Sequence, residues 1–277
     1  MRSGWLWLSC VLFIAFGWVF RSQIRTLTGL PTIGDIRLRF VSRQKESLQS
    51  IPSGRVMVVL VTGQSNAGNY GPANAFPEHA GLFNFYSGTL YRAKDPMPGA
   101  DGTGSGPWLA LGRMLVERAG YSGVVFALAV KGGTPIREWV PGGPMQRRVV
   151  DTGRSLLAAR LTPTHILWEQ GEADSQAFDG TPAQTYENDF HAFLGSVRAA
   201  GIDAPVYVAL ASRTVVNGPD ATVRQAQQSL VNAGDKVFAG PDADQLGPEF
   251  RRDGTHFTLE GLERLADLWY TSLVKQP

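Results

Sequence analysis

Five short apolar runs, at 56–62, 123–130, 164–169, 205–211 and 236–239, punctuate this chain, and a helix-like segment separates each from the next. The runs VMVVLVT, GVVFALAV, THILWE, PVYVALA and KVFA lack the apolar–polar alternation of a strand with one wet face. They therefore read as strands buried on both sides. Helices are expected at 108–119, 146–160, 183–200 and 221–233, with a last one at 258–274 that Thr258 is placed to cap. Strand–helix alternation of this kind implies an α/β fold, a parallel sheet covered by helices on both faces. Ligands of such sheets bind beyond the carboxyl ends of the strands, so the residues that follow each run are the first candidates for chemistry.

The segment before the first strand has a different character. From Trp5 to Phe20 there is no charged residue. At about 1.5 Å per residue this run and its flanks just cross a thin bilayer as a helix, so residues 1–20 are expected to be a membrane anchor. Its small-x-small site, Ala15-Phe16-Gly17, is followed by Trp18 and Val19, a poor start for a mature chain, which favours an uncleaved anchor over a signal peptide. Residues 21–54, closing on Ile51-Pro52-Ser53-Gly54, read as a basic stalk, and residues 55–277 as the folded domain. Residues 21–55 carry seven Lys and Arg against two acids, whereas 56–277 carry 18 basic against 22 acidic side chains. A mildly acidic domain lacks the basic stripe that nucleic acid requires. The single cysteine, Cys10, lies in the apolar run, which excludes a disulfide, a thiolate nucleophile or a cysteine metal site from the domain.

The first strand runs into Gly63-Gln64-Ser65-Asn66-Ala67-Gly68, where small residues surround a serine at the strand's carboxyl edge. A serine hydroxyl is inert near neutral pH without a base, so the reading requires a histidine elsewhere. There are four. His256 stands three residues after Asp253, a spacing that lets the carboxylate hold one ring nitrogen while the other faces Ser65. His79 in a Pro/Gly-rich loop, His165 opening a strand and His191 inside a helix read as surface or locally bonded imidazoles. After the second strand come Gly132 and Gly133, where the backbone can approach a ligand closely. After the third comes Gln170, with a side-chain amide to offer. With the Ser65 N–H these would make an oxyanion hole of three donors.

Four blocks stand in order: Gly63-Gln64-Ser65-Asn66, Gly132-Gly133-Thr134 with Trp139, Trp168-x-Gln170-Gly171-Glu172-x-Asp174, and Asp253-x-x-His256. Together they resemble the sialate O-acetylesterase-like branch of the SGNH hydrolases, which includes carbohydrate esterase family six. The resemblance spans residues 56–274 and implies a three-layer α/β/α sandwich with a five-stranded parallel sheet in flavodoxin-like order. It also implies deacetylation through an acyl-enzyme without metal or cofactor. Carried over by position, Ser65 is the nucleophile, His256 the base and then the acid, and Asp253 its orienter. Gly133, in preference to Gly132, and Gln170 are the oxyanion donors. Glu172 and Asp174 brace their loop, and Trp139 walls the acyl pocket. Ala67 departs from the family, where methionine is common, and either widens the pocket or alters packing.

The reading that follows is an anchored acetylesterase acting on an O-acetylated carbohydrate, with its domain periplasmic or extracellular. The positive-inside count of Arg21, Arg25, Arg37, Arg39, Arg43 and Lys45 points the other way. Two alternatives keep the same residues: an acetyltransferase of envelope polysaccharide, and a non-catalytic glycan-binding protein on an esterase fold. The Gly/Pro-rich stretch 96–107 either borders the site or is a loose surface excursion. Phe83, Phe85, Tyr86 and Tyr91 read as local packing in a long loop rather than as a stacking surface for sugar rings.

Overall fold

The computed structural model describes residues 43–275, so the expected anchor and most of the stalk lie outside the described residues. Among those described, no helix is long and apolar enough to cross a membrane. The strands are β1 (Lys45–Glu46), β2 (Val56–Gly63), β3 (Leu82–Tyr86), β4 (Thr89–Arg92), β5 (Gly123–Val130), β6 (His165–Glu169), β7 (Val206–Leu210) and β8 (Val237–Asp242). The helices are α1 (Trp108–Arg118), α2 (Pro144–Ala158), α3 (Ala183–Ala199), α4 (Ala221–Ser229) and α5 (Leu259–Lys275).

The period-two geometry of the strands sorts their side chains into two cores. Met57, Val59 and Val61 of β2, with Phe126 and Leu128 of β5, join Trp108 and Leu111 of α1 and Leu265 and Trp269 of α5. Val58, Leu60, Val125 and Ala127 face the other way, onto Val149 of α2, Phe190 and Phe193 of α3 and Val223 of α4. Runs apolar at every position thus feed both faces, and the helices divide into two layers.

The sheet corrects one expectation. It has eight strands in the order β1-β4-β3-β5-β2-β6-β7-β8 and is mixed, not a five-stranded parallel sheet. The five expected strands are adjacent and parallel, and β3 adds a sixth parallel strand beside β5. β4, antiparallel to β3, and β1, antiparallel to β4 in turn, complete that edge. The long loop of the sequence reading is a hairpin: Ser87 and Gly88 take φ of 49° and 75°, the left-handed pair that a tight two-residue turn needs. Phe83 and Phe85 are core residues, buried as packing, while Tyr86 is exposed. The Ser-Gly dipeptide between two short aromatic runs was the available signal. Lys45 and Glu46, placed in the stalk by sequence, pair with Tyr91 and Leu90, and Glu46 accepts from Arg92 Nη2 at 2.6 Å.

Candidate active site

The register of β2 against its neighbours places three of the four sequence blocks side by side. Gly63 pairs with Val130 of β5 and with Glu169 of β6, so the turns after the three strands emerge together. A side chain on Gly63, at φ 139°, would meet the Glu169 carbonyl at 2.1 Å, so only glycine lets the strands close there. The chain then enters a 3-10 turn, Ser65–Ala67, pinned from below by Trp108 Nε1, which donates to the Ala67 carbonyl at 2.8 Å. Ala67 is fully buried in that contact, so the departure from methionine is a matter of packing.

The fourth block comes from the far end of the chain. His256 Nδ1 lies 2.7 Å from Asp253 Oδ2, while Asp253 Oδ1 accepts from the N–H groups of Thr255 and His256 at 3.0 and 2.7 Å. Burial disfavours the ionised Asp253, but hydrogen bonds from the His256 and Thr255 backbone and from the imidazole hold its carboxyl below the usual value. What joins this loop to the serine turn is Asn66: its Nδ2 donates to the Thr255 carbonyl at 3.3 Å and to Glu172 Oε1 at 2.6 Å. Arg251 Nη1 donates to the same Thr255 carbonyl at 2.7 Å, and its guanidinium lies 3.6 Å over the Phe257 ring. Thr258 caps α5 as expected, accepting from the Gly261 N–H at 3.0 Å.

The two glycine candidates after β5 are separated by their partners. Gly132 N–H is taken by the Asp101 carboxylate at 3.0 and 3.2 Å. Gly133, at φ 70°, has open space where a Cβ would sit, and its N–H has no acceptor among the described residues. Gln170 does not meet the expectation of a free donor in this geometry. It is fully buried, and its Nε2 faces the Thr134 carbonyl at 2.9 Å and Asp174 Oδ2 at 2.5 Å, while Tyr186 OH donates to its Oε1 at 2.9 Å. Turning the amide over would set oxygen against two acceptors, so the network fixes its orientation. Asp174 also accepts from the Ile136 N–H at 3.0 Å and from Thr181, and is the brace the sequence suggested. Gln170 and Asp174 thus hold the Gly133 turn from behind.

Other expectations are settled by burial. Trp139 is wholly buried, edge-on to Trp168 at 4.9 Å, and belongs to a core rather than to a pocket wall. His165 opens β6 opposite Val59, at the end of the sheet away from Ser65. His79 accepts from the Gly81 N–H, and His191 lies on α3 against Phe190. The stretch 96–107 is a locked wall of the site: Asn69 bonds the Met97 and Ala100 carbonyls at 3.0 and 3.1 Å and the Met97 N–H at 2.8 Å.

The model of one family, described as carbohydrate esterase, sialic acid-specific acetylesterase, matches residues 55–275. This chain belongs to that family. The esterase is accordingly a carboxylic ester hydrolase of the carbohydrate-acetylesterase kind. Its fold is shared with a protein from Arabidopsis thaliana at TM-score 0.67 and 20% identity, over 79% of this chain and 98% of that one. NanS follows at 0.57 and 15%, over 80% and 97% of the two chains. A carbohydrate acetylesterase from Xanthomonas citri gives 0.53 and 17%, over 78% of the esterase and 55% of its own length. No curated protein matches the chain.

Proposed function

We propose that the esterase removes O-acetyl groups from a carbohydrate through an acetyl-Ser65 intermediate, with His256 as proton carrier and Asp253 as its orienter. The observation that carries this is the Asp253–His256 pair at 2.7 Å, tied through Thr255 and Asn66 to the turn that bears Ser65. Ser65 Oγ attacks the acetyl carbonyl carbon as its proton passes to His256 Nε2. The oxygen that gains the negative charge accepts from the N–H groups of Ser65 and Gly133. Collapse breaks the bond to the sugar oxygen, which takes the proton from His256. Water, deprotonated by the same nitrogen, then attacks the acetyl-serine, and acetate leaves as the bond to Ser65 Oγ breaks and His256 Nε2 returns the proton to that oxygen. Asp253 keeps Nδ1 protonated throughout, which leaves Nε2 to act.

The test is acetate release from acetylated sugars and from p-nitrophenyl acetate by the full chain, with Ser65→Ala and His256→Ala alongside. Both variants are expected to lose at least about 10³-fold in kcat, and rapid quenching is expected to show one acetyl group on the peptide carrying Ser65. Undiminished turnover in Ser65→Ala would overturn the reading. Acetyl transferred to an added glycan in place of acetate release would reassign the same triad to transfer.

A further inference from the structure

Tyr70 lies flat against His256, with ring centroids 5.0 Å apart and planes 16° from parallel. Glycine backbone lies close against one edge of its ring. A Cβ on Gly132 would come within 2.5 Å of the phenol oxygen, one on Gly102 within 3.0 Å of Cδ2, and one on Gly68 within 3.3 Å of the same atom. One edge of the ring is thus seated on glycine backbone, with the imidazole stacked over a face. Its hydroxyl donates to Asp101 Oδ2 at 2.9 Å, and Asp101 accepts from Gly132 N–H, one residue before the oxyanion candidate Gly133. Asp101 is buried, and its loop is fixed by the Asn69 N–H, which donates to the Asp101 carbonyl at 3.0 Å.

We infer that Tyr70 and Asp101 are positioning residues that set the general base and the oxyanion turn as one unit, Tyr70 holding the face of His256 and Asp101 holding Gly132. Asp253 fixes one edge of the imidazole but leaves it free to swing about that hydrogen bond. Tyr70 removes this freedom. Asp101 then fixes where the Gly133 N–H stands relative to that imidazole, because both are measured from the same phenol. The inference rests on the triad proposed above. It adds that Tyr70 touches no reacting atom and acts through geometry.

The experiment is a set of variants in the full chain, Tyr70→Leu, Tyr70→Phe, Asp101→Ala, Asp101→Asn and the double variant Tyr70→Phe/Asp101→Ala, read by kcat and KM separately. Tyr70→Leu should lower kcat on the order of 10²-fold, the cost of a misplaced reacting group, with KM little changed. Tyr70→Phe keeps the ring and should lose about threefold to tenfold, the scale of one hydrogen bond. Asp101→Asn, which retains an acceptor for Gly132, should recover part of the loss in Asp101→Ala. The double variant should be no worse than Asp101→Ala alone. In proton NMR, the ring-current displacement of the His256 ring protons should persist in Tyr70→Phe and vanish in Tyr70→Leu. Wild-type kcat in Tyr70→Leu, a change confined to KM, or additive losses in the double variant would overturn the inference. Should Tyr70→Leu fail to fold, Tyr70→Phe and Asp101→Asn still decide it. Ser65→Ala separates the two claims: activity surviving there sinks the triad, whereas a dead Ser65→Ala beside an unaffected Tyr70→Leu sinks only the positioning role.

Discussion

The amide nitrogen of Asn66 donates to the carbonyl oxygen of Thr255 at 3.3 Å, across 189 residues of sequence. Asn66 follows Ser65 and Thr255 precedes His256, so this bond and the Arg251 bond to the same carbonyl set the distance between the Ser65 turn and the His256 turn. Asn66→Ala is expected to lower kcat by about 10-fold to 100-fold with a smaller effect on KM. Parallel loss of KM and no loss of kcat would assign Asn66 to substrate contact instead.

Asp253 is anchored by three donors, and its carboxyl titrates below the usual range. Asp253→Asn is therefore expected to cost about 10²-fold to 10⁴-fold in kcat, because an amide can stabilise the wrong imidazole tautomer. The linkage has a sign: a depressed folded-state pKa contributes stability above the unfolded value of about 3.9 that is lost as the pH falls toward the lower folded value. In Asp253→Asn the melting temperature should accordingly fall less steeply below pH 4 than in the wild type.

Beneath the site Glu169 and Glu172 behave in the opposite sense. Burial raises Glu169 to about 7 and Glu172 to about 8, and Glu169 Oε1 and Glu172 Oε2 are buried without hydrogen-bond partners among the described residues. A raised folded-state pKa favours folding below the unfolded value and loses that contribution as the pH climbs through the folded one. Thermal stability is expected to decline from about pH 5 to pH 8. Glu172→Gln, which keeps an acceptor for Asn66, should flatten that decline in melting curves. An unchanged slope would mean that Glu172 is ionised throughout.

Gln170 and the glycines offer a contrast between bracing and catalysis. Gln170→Ala removes the amide that donates to the Thr134 carbonyl and to the buried Asp174 carboxylate and is expected to destabilise by about 3 kcal/mol. Urea unfolding would check it. A loss of 10²-fold in kcat at unchanged stability would instead make Gln170 an oxyanion donor. Gly132→Ala drives a methyl into the Tyr70 phenol. Gly133→Ala meets open space and bears only the left-handed backbone strain, about 1 kcal/mol. Gly132→Ala should be the more damaging to turnover.

The five buried strands, the helices between them and the candidate triad were legible in the sequence because each is a local signal. An unbroken apolar run, a serine among small residues at its end and a carboxylate three residues before a histidine announce themselves without partners. The hairpin of β3 and β4 was missed because its short aromatic runs look like a loop until Ser87 and Gly88 are seen to turn. The burial of Trp139 in a core and the engagement of the Gln170 amide by Thr134 and Asp174 are not legible in sequence, which shows an indole or an amide near a site but not which way it points.

The sequence by itself determined the α/β architecture and where the blocks of the candidate site fall, with Ser65, His256 and Asp253 as candidates, since periodicity and spacing act over a few residues. Tertiary structure alone decided that Gly132 is taken by Asp101, that Gln170 and Trp139 are buried and that Tyr70 lies on His256. The reason is physical. Availability of a donor or a ring face depends on what packs against it, and those partners come from segments tens to hundreds of residues away that only the folded sheet brings together.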